Sequence, residues 1–505
     1  MPLFQPPVPR CRLTRFLLFL PLLLLFSPQA VLAAEHRTGH PSHHARYRID
    51  RPFVCVGLMR FAAVQALVLS ADPGAHLIGP DGQERAAGMG PWTFTATEQG
   101  ARVLDASGKD LGVVAPGTCW RLQSADEETR LGIGLPGSRR LSCYRGCLEI
   151  GMAGRRLRAI NEVRLESYLR GVVACEMGSR APLEALKAQA VASRTYVLHC
   201  LGQWKTSGYD VRDTTDSQVY KGVDGETPAT DRAVRETAGL VLTRNDRPIA
   251  AFFSADCGGF TAPGADADDC PRAIDDSEAH AAEHPWVRSY TPERLTAVLS
   301  RSASLRGLGA LESVTVLQKD ISGRARRLQL TFRPHSVDTP ESSPPSDSPG
   351  DLASDIASGD ETPAQGPSGT DAPQAPGKSV ETPEKAARRA LPPIVREISA
   401  NTLRMLLGVD TLRSTLFTVR RDAGGAFVFE GRGWGHGRGL CQVGAMALAA
   451  PPYNEDFRTI LLHYYAGATL AQANAPETGG ESTAENEASS PPQKRSVQNS
   501  DLDSP

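Results

Sequence analysis

The stretch LESYLRGVVACEMGSRAPLEALKAQAVASRTYVLHCL, residues 165–201, carries two successive helical patterns, and they decide the fold. Leu165, Leu169, Val172 and Glu176 fall at spacings of four, three and four, which is one stripe of a helix. After Gly178 a second helix is expected, with Ser179 as its cap and Pro182 in its first turn. Ala185, Ala188, Ala190, Ala192 and Ser193 put small side chains on several of its faces, so neighbours should pack against it all round. Glu176 is then a carboxylate on the apolar stripe, in the last turn of the first helix. Burial and the negative end of the helix dipole both disfavour its charged form and raise its pKa, which suits a general acid. The other reading is a frayed helix end with Glu176 turned to solvent. Lys187, Gln189, Arg194 and Tyr196 are polar groups in a tight place and need partners, either structural ones or those of a site they line.

Toward the C-terminus, YDVRDTTDSQVYKG (209–222) sets Asp210, Asp213 and Asp216 three apart, ahead of Gln218 and Tyr220. No EF-type loop spacing accompanies these carboxylates, so calcium is not implied. The amide, hydroxyl and aromatic groups read instead as a sugar-binding wall. A strand pair turning at Asn245-Asp246 leads into AFFSADCGGFT (251–261), where Ser254, Gly258 and Gly259 are further candidate contacts. GRGWGHGRGLCQVGAMA (431–447) then has glycine at every second position from Gly431 to Gly439. Period two is the strand period, so these glycines are expected to line one face of a strand. A bare backbone face lets main-chain groups reach a wide ligand, with His436 and Gln442 adding side-chain bonds, or it lets the strand pack closely on the Ala-rich helix. HAAEH (280–284) spells an inverted zinc-peptidase motif, but that motif needs a helix, and Pro285 ends any helix there.

Toward the N-terminus, residues 51–154 split into short alternating segments such as AVQALVLSA, WTFTATE, CWRLQSA and CLEIGM, a β-rich module. Arg10, Arg12 and Arg15 precede the apolar run FLLFLPLLLLF (16–26), and VLAAE follows, which together spell a secretory signal over 1–33. An uncleaved membrane anchor is the alternative; the short run and its Pro21 count against it. Residues 34–50 read as a His-containing linker. Residues 336–392 and 472–505 are rich in Pro, Ser, Asp, Glu and Gly and are expected to be disordered. The fold class expected is α+β: a β-rich N-terminal module, then a mixed helix/strand core over 155–335 and 393–471, interrupted by the disordered insertion. At a net charge of −2 over 505 residues, nothing in the balance points to a nucleic-acid or anionic-membrane partner.

In order along the chain, NEVRLESYLRGVVACEM, LEALKAQAVASRTY, DTTDSQVY, CGGFT, GRGWGHGRGLCQVGA and ILLHYYAGATL resemble the SpoIID/LytB family of bacterial cell-wall proteins. The likeness covers roughly 155–262 and 393–470. It implies a lytic transglycosylase that cuts peptidoglycan glycan strands, with the family's catalytic glutamate falling on Glu176. In the LytB branch it implies instead a wall-binding protein that stimulates a cell-wall amidase. Peptidoglycan, and on the second reading an amidase, are thus the expected partners, in the periplasm or cell-wall space; no cofactor is implied. Three departures stand out: Gly178 replaces the proline of "EMP", GLCQ replaces GMSQ at Cys441, and Arg212 and Ser217 stand near the places of a zinc-binding cysteine pair, so no zinc is expected.

Export permits disulfides, and nine of the ten cysteines follow the signal. Cys143 and Cys147 flank a three-residue turn and are expected to pair; Cys257 and Cys270 bracket a loop and form a second pair. Cys55 and Cys119 share the β-rich module. If the EM and glycine motifs line one cleft, Cys175 and Cys441 pair across it, leaving Cys200 reduced.

Overall fold

The computed structural model describes residues 45–48, 52–264, 285–334 and 391–474. The signal segment, HAAEH, Cys270, nearly all of the 336–392 insertion and the tail beyond 474 lie outside the described residues.

The alternating segments of the N-terminal module become strands in two sheets. One runs in the order Ser142–Tyr144, Leu131–Gly134, Ala66–Ala71, Trp92–Ala96, Ala101–Leu104, Asp110–Val114. The other runs Val211–Arg212, Phe53–Gly57, Arg156–Arg164, Cys147–Ala153, Cys119–Gln123, His76–Ile78, Glu84–Ala87. Both sheets feed one hydrophobic cluster, where Leu69, Phe94, Val103, Leu122 and Ile150 are fully buried. The module does not stop at 154. Arg156–Arg164 hydrogen-bonds to Cys147–Ala153 on one side and Phe53–Gly57 on the other. It then passes directly into the first helix.

Seven α-helices occur among the described residues: α1 Leu165–Met177, α2 Leu183–His199, α3 Pro228–Glu236, α4 Pro292–Leu299, α5 Ala400–Leu407, α6 Gln442–Ala449 and α7 Phe457–Tyr464. The small side chains of α2 do what their pattern implies: Ala185, Leu186 and every residue from Ala188 to Leu198 are buried. Helices α1, α3, α6 and α7 all pack on it. Its start differs from the expectation. Pro182 is the N-cap residue, not a first-turn residue, and no side chain caps the end, because Ser179 and Arg180 belong to the preceding turn.

A further sheet closes this core. Leu240–Arg244 turns through Asn245 and Asp246, at φ +50° and +57°, into Arg247–Pro248, and pairs antiparallel with Thr469–Asn474. Ala45–Arg48, inside the expected linker, adds to Thr469–Asn474 in parallel, and that last strand outruns the expected boundary at 471. Phe253–Ser254 and Leu440–Cys441 form a short parallel pair.

Between those two short strands the chain builds something separate. Pro285–Tyr290, Phe427–Arg432 and Phe417–Arg421 make one three-stranded sheet; Ala310–Lys319, Ala325–Arg333 and Ile394–Ser399 make another. With α4 and α5 they enclose their own cluster around Trp286, Leu295, Leu328, Phe332, Leu403 and Phe429. Residues 285–432 are therefore a subdomain set into the α2-centred core. Phe332 and Ile394 are strand partners, so the chain leaves for and returns from 335–390 at adjacent positions.

The disulfide expectations change. Cys143 lies on Ser142–Tyr144 and Cys147 on Cys147–Ala153, strands of different sheets, so the turn between them is not a hairpin and both thiols are free. Cys175 is also free; its sulfur contacts the Gly171 carbonyl oxygen at 3.2 Å, on the side facing Gly225. Cys175 lies in α1 and Cys441 on the strand Leu440–Cys441 that leads into α6, and both helices pack on α2. Cys200 is half-buried and free.

Candidate functional site

Glu176 stands in the last turn of α1, half-buried, with its Oε1 accepting the Val219 N–H at 2.6 Å. Burial pushes its pKa up to about 7, while the Val219 bond pulls the other way. No charged neighbour contributes to that balance among the described residues. The loop that supplies Val219 is held from inside. Gln218 is fully buried, accepts from the Tyr168 hydroxyl at 3.0 Å and donates to the Ser193 carbonyl at 3.3 Å. Gln189 donates to Ser193 Oγ at 3.0 Å and accepts from Gln442 at 3.2 Å. A buried polar chain thus ties the glycine segment, α2 and the DTTDSQVY loop to the position of Glu176. Gly178 follows at φ +82°, a conformation closed to the proline that stands in the EMP motif.

The glycine segment is not the expected strand. Regular pairing ends at Arg432, and Gly433, Gly435, Gly437 and Gly439 all take positive φ, between +68° and +112°. Their faces meet protein. A Cβ at Gly433 would stand 2.9 Å from the Asp256 carbonyl oxygen, and one at Gly435 would stand 2.7 Å from Ser254 Cβ. At Gly437 and Gly439 it would collide with the Arg324 guanidinium and the Phe252 carbonyl. The segment packs on 252–258 and Arg324 rather than on α2, and it turns its non-glycine side chains outward. Trp434 is 42% exposed, with the Arg413 guanidinium over its ring at 4.9 Å.

Those side chains connect back to Glu176. The Tyr196 ring lies 5.7 Å from Phe252 and 6.3 Å from Phe253, and its hydroxyl feels the charges of both Glu176 and Arg438. Phe252 meets the His436 ring edge-on at 5.8 Å and carries the Arg438 guanidinium at 3.9 Å. Tyr196, itself buried, and the two half-buried phenylalanines thus join α2 to the exposed His436 and to Arg438, with Glu176 near enough to act on the Tyr196 hydroxyl. His436 has protein on most sides yet stays exposed, as a side chain at the floor of a concavity does. Its Nδ1 accepts the Arg438 N–H at 3.0 Å. Desolvation, then the charges of Arg438, Arg404 and Arg324, hold its pKa far below the usual imidazole value, so the ring is neutral.

The remaining sequence candidates are engaged within the fold. Arg194, fully buried, makes a two-pronged ion pair with Glu166 at 2.8 and 2.6 Å. Lys187 pairs with Glu184 and Glu236 at 2.7 and 2.8 Å. The Tyr220 hydroxyl donates to Asn161 at 2.8 Å. Gln189, Gln218 and Gln442 form the buried chain, and Ser254 and Gly258 are buried under the glycine segment. Gly259, half-buried at φ +92°, completes the turn after Cys257. Asp210 and Asp213 tie their loop to the N-terminal sheet through the amides of Cys55 and Met59, at 2.9 and 2.8 Å.

Two features escaped the sequence reading. Val219 acts through its amide, which leaves no mark in a sequence. Trp434 did leave one: a large aromatic between two glycines has little to cover it. One group of metal-type donors also meets in the interior, where Asp256, Cys257 and Cys441 bring ligand atoms within 4.8 Å of one another. Zinc in a structural site takes four ligands, and the described residues supply three here. Cys441 Sγ accepts the N–H groups of Cys257 at 3.2 Å and Gly444 at 3.4 Å, the latter as the cap of α6.

The family comparison falls on the segment that carries Glu176. Residues 153–244 match the family model described as Stage II sporulation protein, SpoIID. An uncharacterised protein of Brachyspira hyodysenteriae is 26% identical over 322 residues, 62% of this chain and 68% of its own length. The amidase enhancer of Bacillus subtilis is 27% identical over 308 residues, 60% of this chain and 40% of the relative. Stage II sporulation protein D of the same organism is 38% identical over 119 residues, 20% of this chain and 34% of the relative. The chain thus spans less than half the length of these last two proteins. The comparisons support a cell-wall-related role. More narrowly, residues 153–244 carry the SpoIID match, and the named relatives place the likeness with the SpoIID/LytB family.

Proposed function

We propose that the chain cleaves peptidoglycan glycan strands as a lytic transglycosylase, with Glu176 as acid and then base. The observation that carries this reading is a half-buried carboxyl with a pKa near 7 and no charged neighbour acting on it. A retaining glycosidase sets a second carboxylate about 5–5.5 Å away, and one so close would register in the balance at Glu176. A transglycosylase needs one group alone. The Glu176 proton passes to the glycosidic oxygen as the bond from the muramyl C1 breaks. The carboxylate then takes the proton of the muramyl 6-hydroxyl as that oxygen closes on C1, which restores the acid and leaves a 1,6-anhydro end. Trp434, 42% exposed, offers its ring to the sugars, and His436 adds a neutral polar edge. On this reading the chain works outside the cytoplasm, its signal segment removed.

Mass analysis of sacculi digested with wild-type protein and Glu176→Gln is the test. Anhydromuramic ends from the first and none from the second support the mechanism; equal yields remove Glu176 as the acid. A second reading, stimulation of a cell-wall amidase, is favoured by the likeness to the amidase enhancer. It takes over if the wild type makes no anhydro ends and an amidase hydrolyses walls faster in its presence.

A further inference from the structure

The two short strands that flank the subdomain in sequence bring together two cysteines that the mechanism does not use. Cys257 and Cys441 stand 184 positions apart, yet both are fully buried and the Cys257 N–H meets Cys441 Sγ at 3.2 Å. Their sulfurs and an Asp256 carboxylate oxygen all lie within 4.8 Å of one another. The sulfurs are not bonded, so the structure holds the thiol form. The backbone around them is pinned from several directions. Ser254 lies opposite Cys441 in the parallel strand pair, and the Val443 N–H donates to the Ala255 carbonyl at 3.1 Å. Asp256 and Trp434 exchange two backbone bonds, at 2.9 and 2.8 Å. Cys55 and Cys147 show the contrast. Both are register partners of Glu162, one on each side, which sets them two strand spacings or ~10 Å apart, beyond the reach of a bridge. Two thiols and one carboxylate fall short of the four ligands of structural zinc, whereas two sulfurs are all that a disulfide needs.

We propose that Cys257 and Cys441 form a disulfide that clasps the glycine segment to residues 252–258 and closes the subdomain into a covalent loop. The inference rests on the reading that the chain works outside the cytoplasm, where disulfides persist. Both sulfurs are buried once the strands have met, so the bond forms as the chain folds, by exchange with a small disulfide such as oxidised glutathione. One cysteine thiolate attacks a glutathione sulfur and expels one glutathione thiolate. The second attacks the protein sulfur of that mixed disulfide, closes the Cys257–Cys441 bond and expels the other glutathione. Two protein thiols are oxidised, one small disulfide is reduced to two thiols, and the two protons end on the departing sulfurs. The glycines of 433–439 have no side chains with which to anchor their segment, and the bond supplies an anchor two residues further on.

The test refolds the full chain from reducing denaturant in a glutathione buffer and, separately, isolates it from a host that exports it by its signal segment. Each sample is alkylated in denaturant and its peptides are mapped without reductant. A peptide linking Cys257 to Cys441, with Cys175 and Cys200 alkylated, is expected from both. Dithiothreitol should lower wild-type melting by about 5–10 °C and shift the double variant Cys257→Ala, Cys441→Ala by less than ~1 °C. Reduction should also quicken amide exchange over 433–441 by about tenfold or more and leave that of Trp92–Ala96 unchanged. Both cysteines alkylated after refolding overturns the inference, as does Cys257 linked to Cys270, or a bound zinc ion that shields both thiols from alkylation. A link formed in the glutathione buffer but missing from the exporting host leaves the pair standing and sinks the extracytoplasmic reading. A chain that is exported and trimmed, with both cysteines still alkylated, does the reverse.

Discussion

The end of α1 and the glycine segment each hold a titratable group away from its ordinary state, by different means. At the end of α1, desolvation alone raises Glu176, with a single amide opposing it. In the glycine segment, desolvation is joined by Arg438, Arg404 and Arg324 in holding His436 neutral. The difference lies in what salt can reach. Screening weakens the pull of arginines across a solvent-open pocket, whereas it leaves the shortage of water around a carboxyl nearly unchanged. The first end keeps a proton ready to give; the second keeps a lone pair engaged with its own backbone.

The largest effect expected is that of Glu176→Gln, which should lower the formation of anhydro ends by about a thousandfold or more. It should also stabilise the fold, in a stated pH range. The folded pKa is raised above the usual 4.5, so Glu176 weighs on stability progressively as pH climbs from 4.5 through about 7. Denaturant unfolding should show the variant more stable by about 1–3 kcal/mol at pH 8.5 and indistinguishable at pH 4. An unstabilised variant at pH 8.5 would break the desolvation half of the comparison.

Next in size is the pH profile. Wild-type kcat/KM should fall about tenfold per unit above pH 7, because the acid must start protonated. Its midpoint should move by less than about 0.3 unit between 0.05 and 0.5 M salt, while the His436 pKa followed by NMR should rise by more than that. Equal salt responses would erase the contrast. Smaller again is Trp434→Ala, expected to weaken glycan binding about five- to tenfold in a pull-down titration, with melting changed by no more than ~2 °C. Deleting 336–392 behind a short Gly/Ser bridge should do least. Phe332 and Ile394 already pair where the chain departs and returns, so melting should shift by ~2 °C or less and both ends should keep their pKa values.

How far the sequence told this story depended on whether side chains or neighbours set the local shape. The pairing of α1 and α2 was legible because apolar and small residues at helical spacing determine which face is buried, and that placed Glu176 in its half-buried turn. The β-rich module was legible for the same reason at period two. The glycine run carries that period too, but a glycine has no side chain to enforce a strand. Its conformation follows from Phe252, Ser254, Asp256 and Arg324, residues 113–187 positions away from the glycines they meet, for which no local signal exists. The buried glutamines misled in another way. Amides at 189, 218 and 442 have the chemistry of sugar contacts, and only their meeting in three dimensions turns them into an internal chain. Cysteine partners were illegible because strand order decides them, and Cys143 and Cys147 part into two sheets within five residues.

The parallel pair Phe253–Ser254 with Leu440–Cys441 bears on how the molecule is made. Helix α2 is complete by residue 199, yet α6, α7 and the strand Thr469–Asn474 that finish its surroundings come from the far end of the chain. Until that end is synthesised, the central helix has nothing to cover much of its surface. Meanwhile 285–432 has its own cluster and is free to assemble as a loop between strands that have not yet met. Contacts of such long sequence separation are slow to form, since the intervening chain must first be closed into a loop. A ribosome-bound chain ending near residue 432 should therefore present a folded subdomain beside an unfinished core, and the last forty residues of ordered chain complete the assembly.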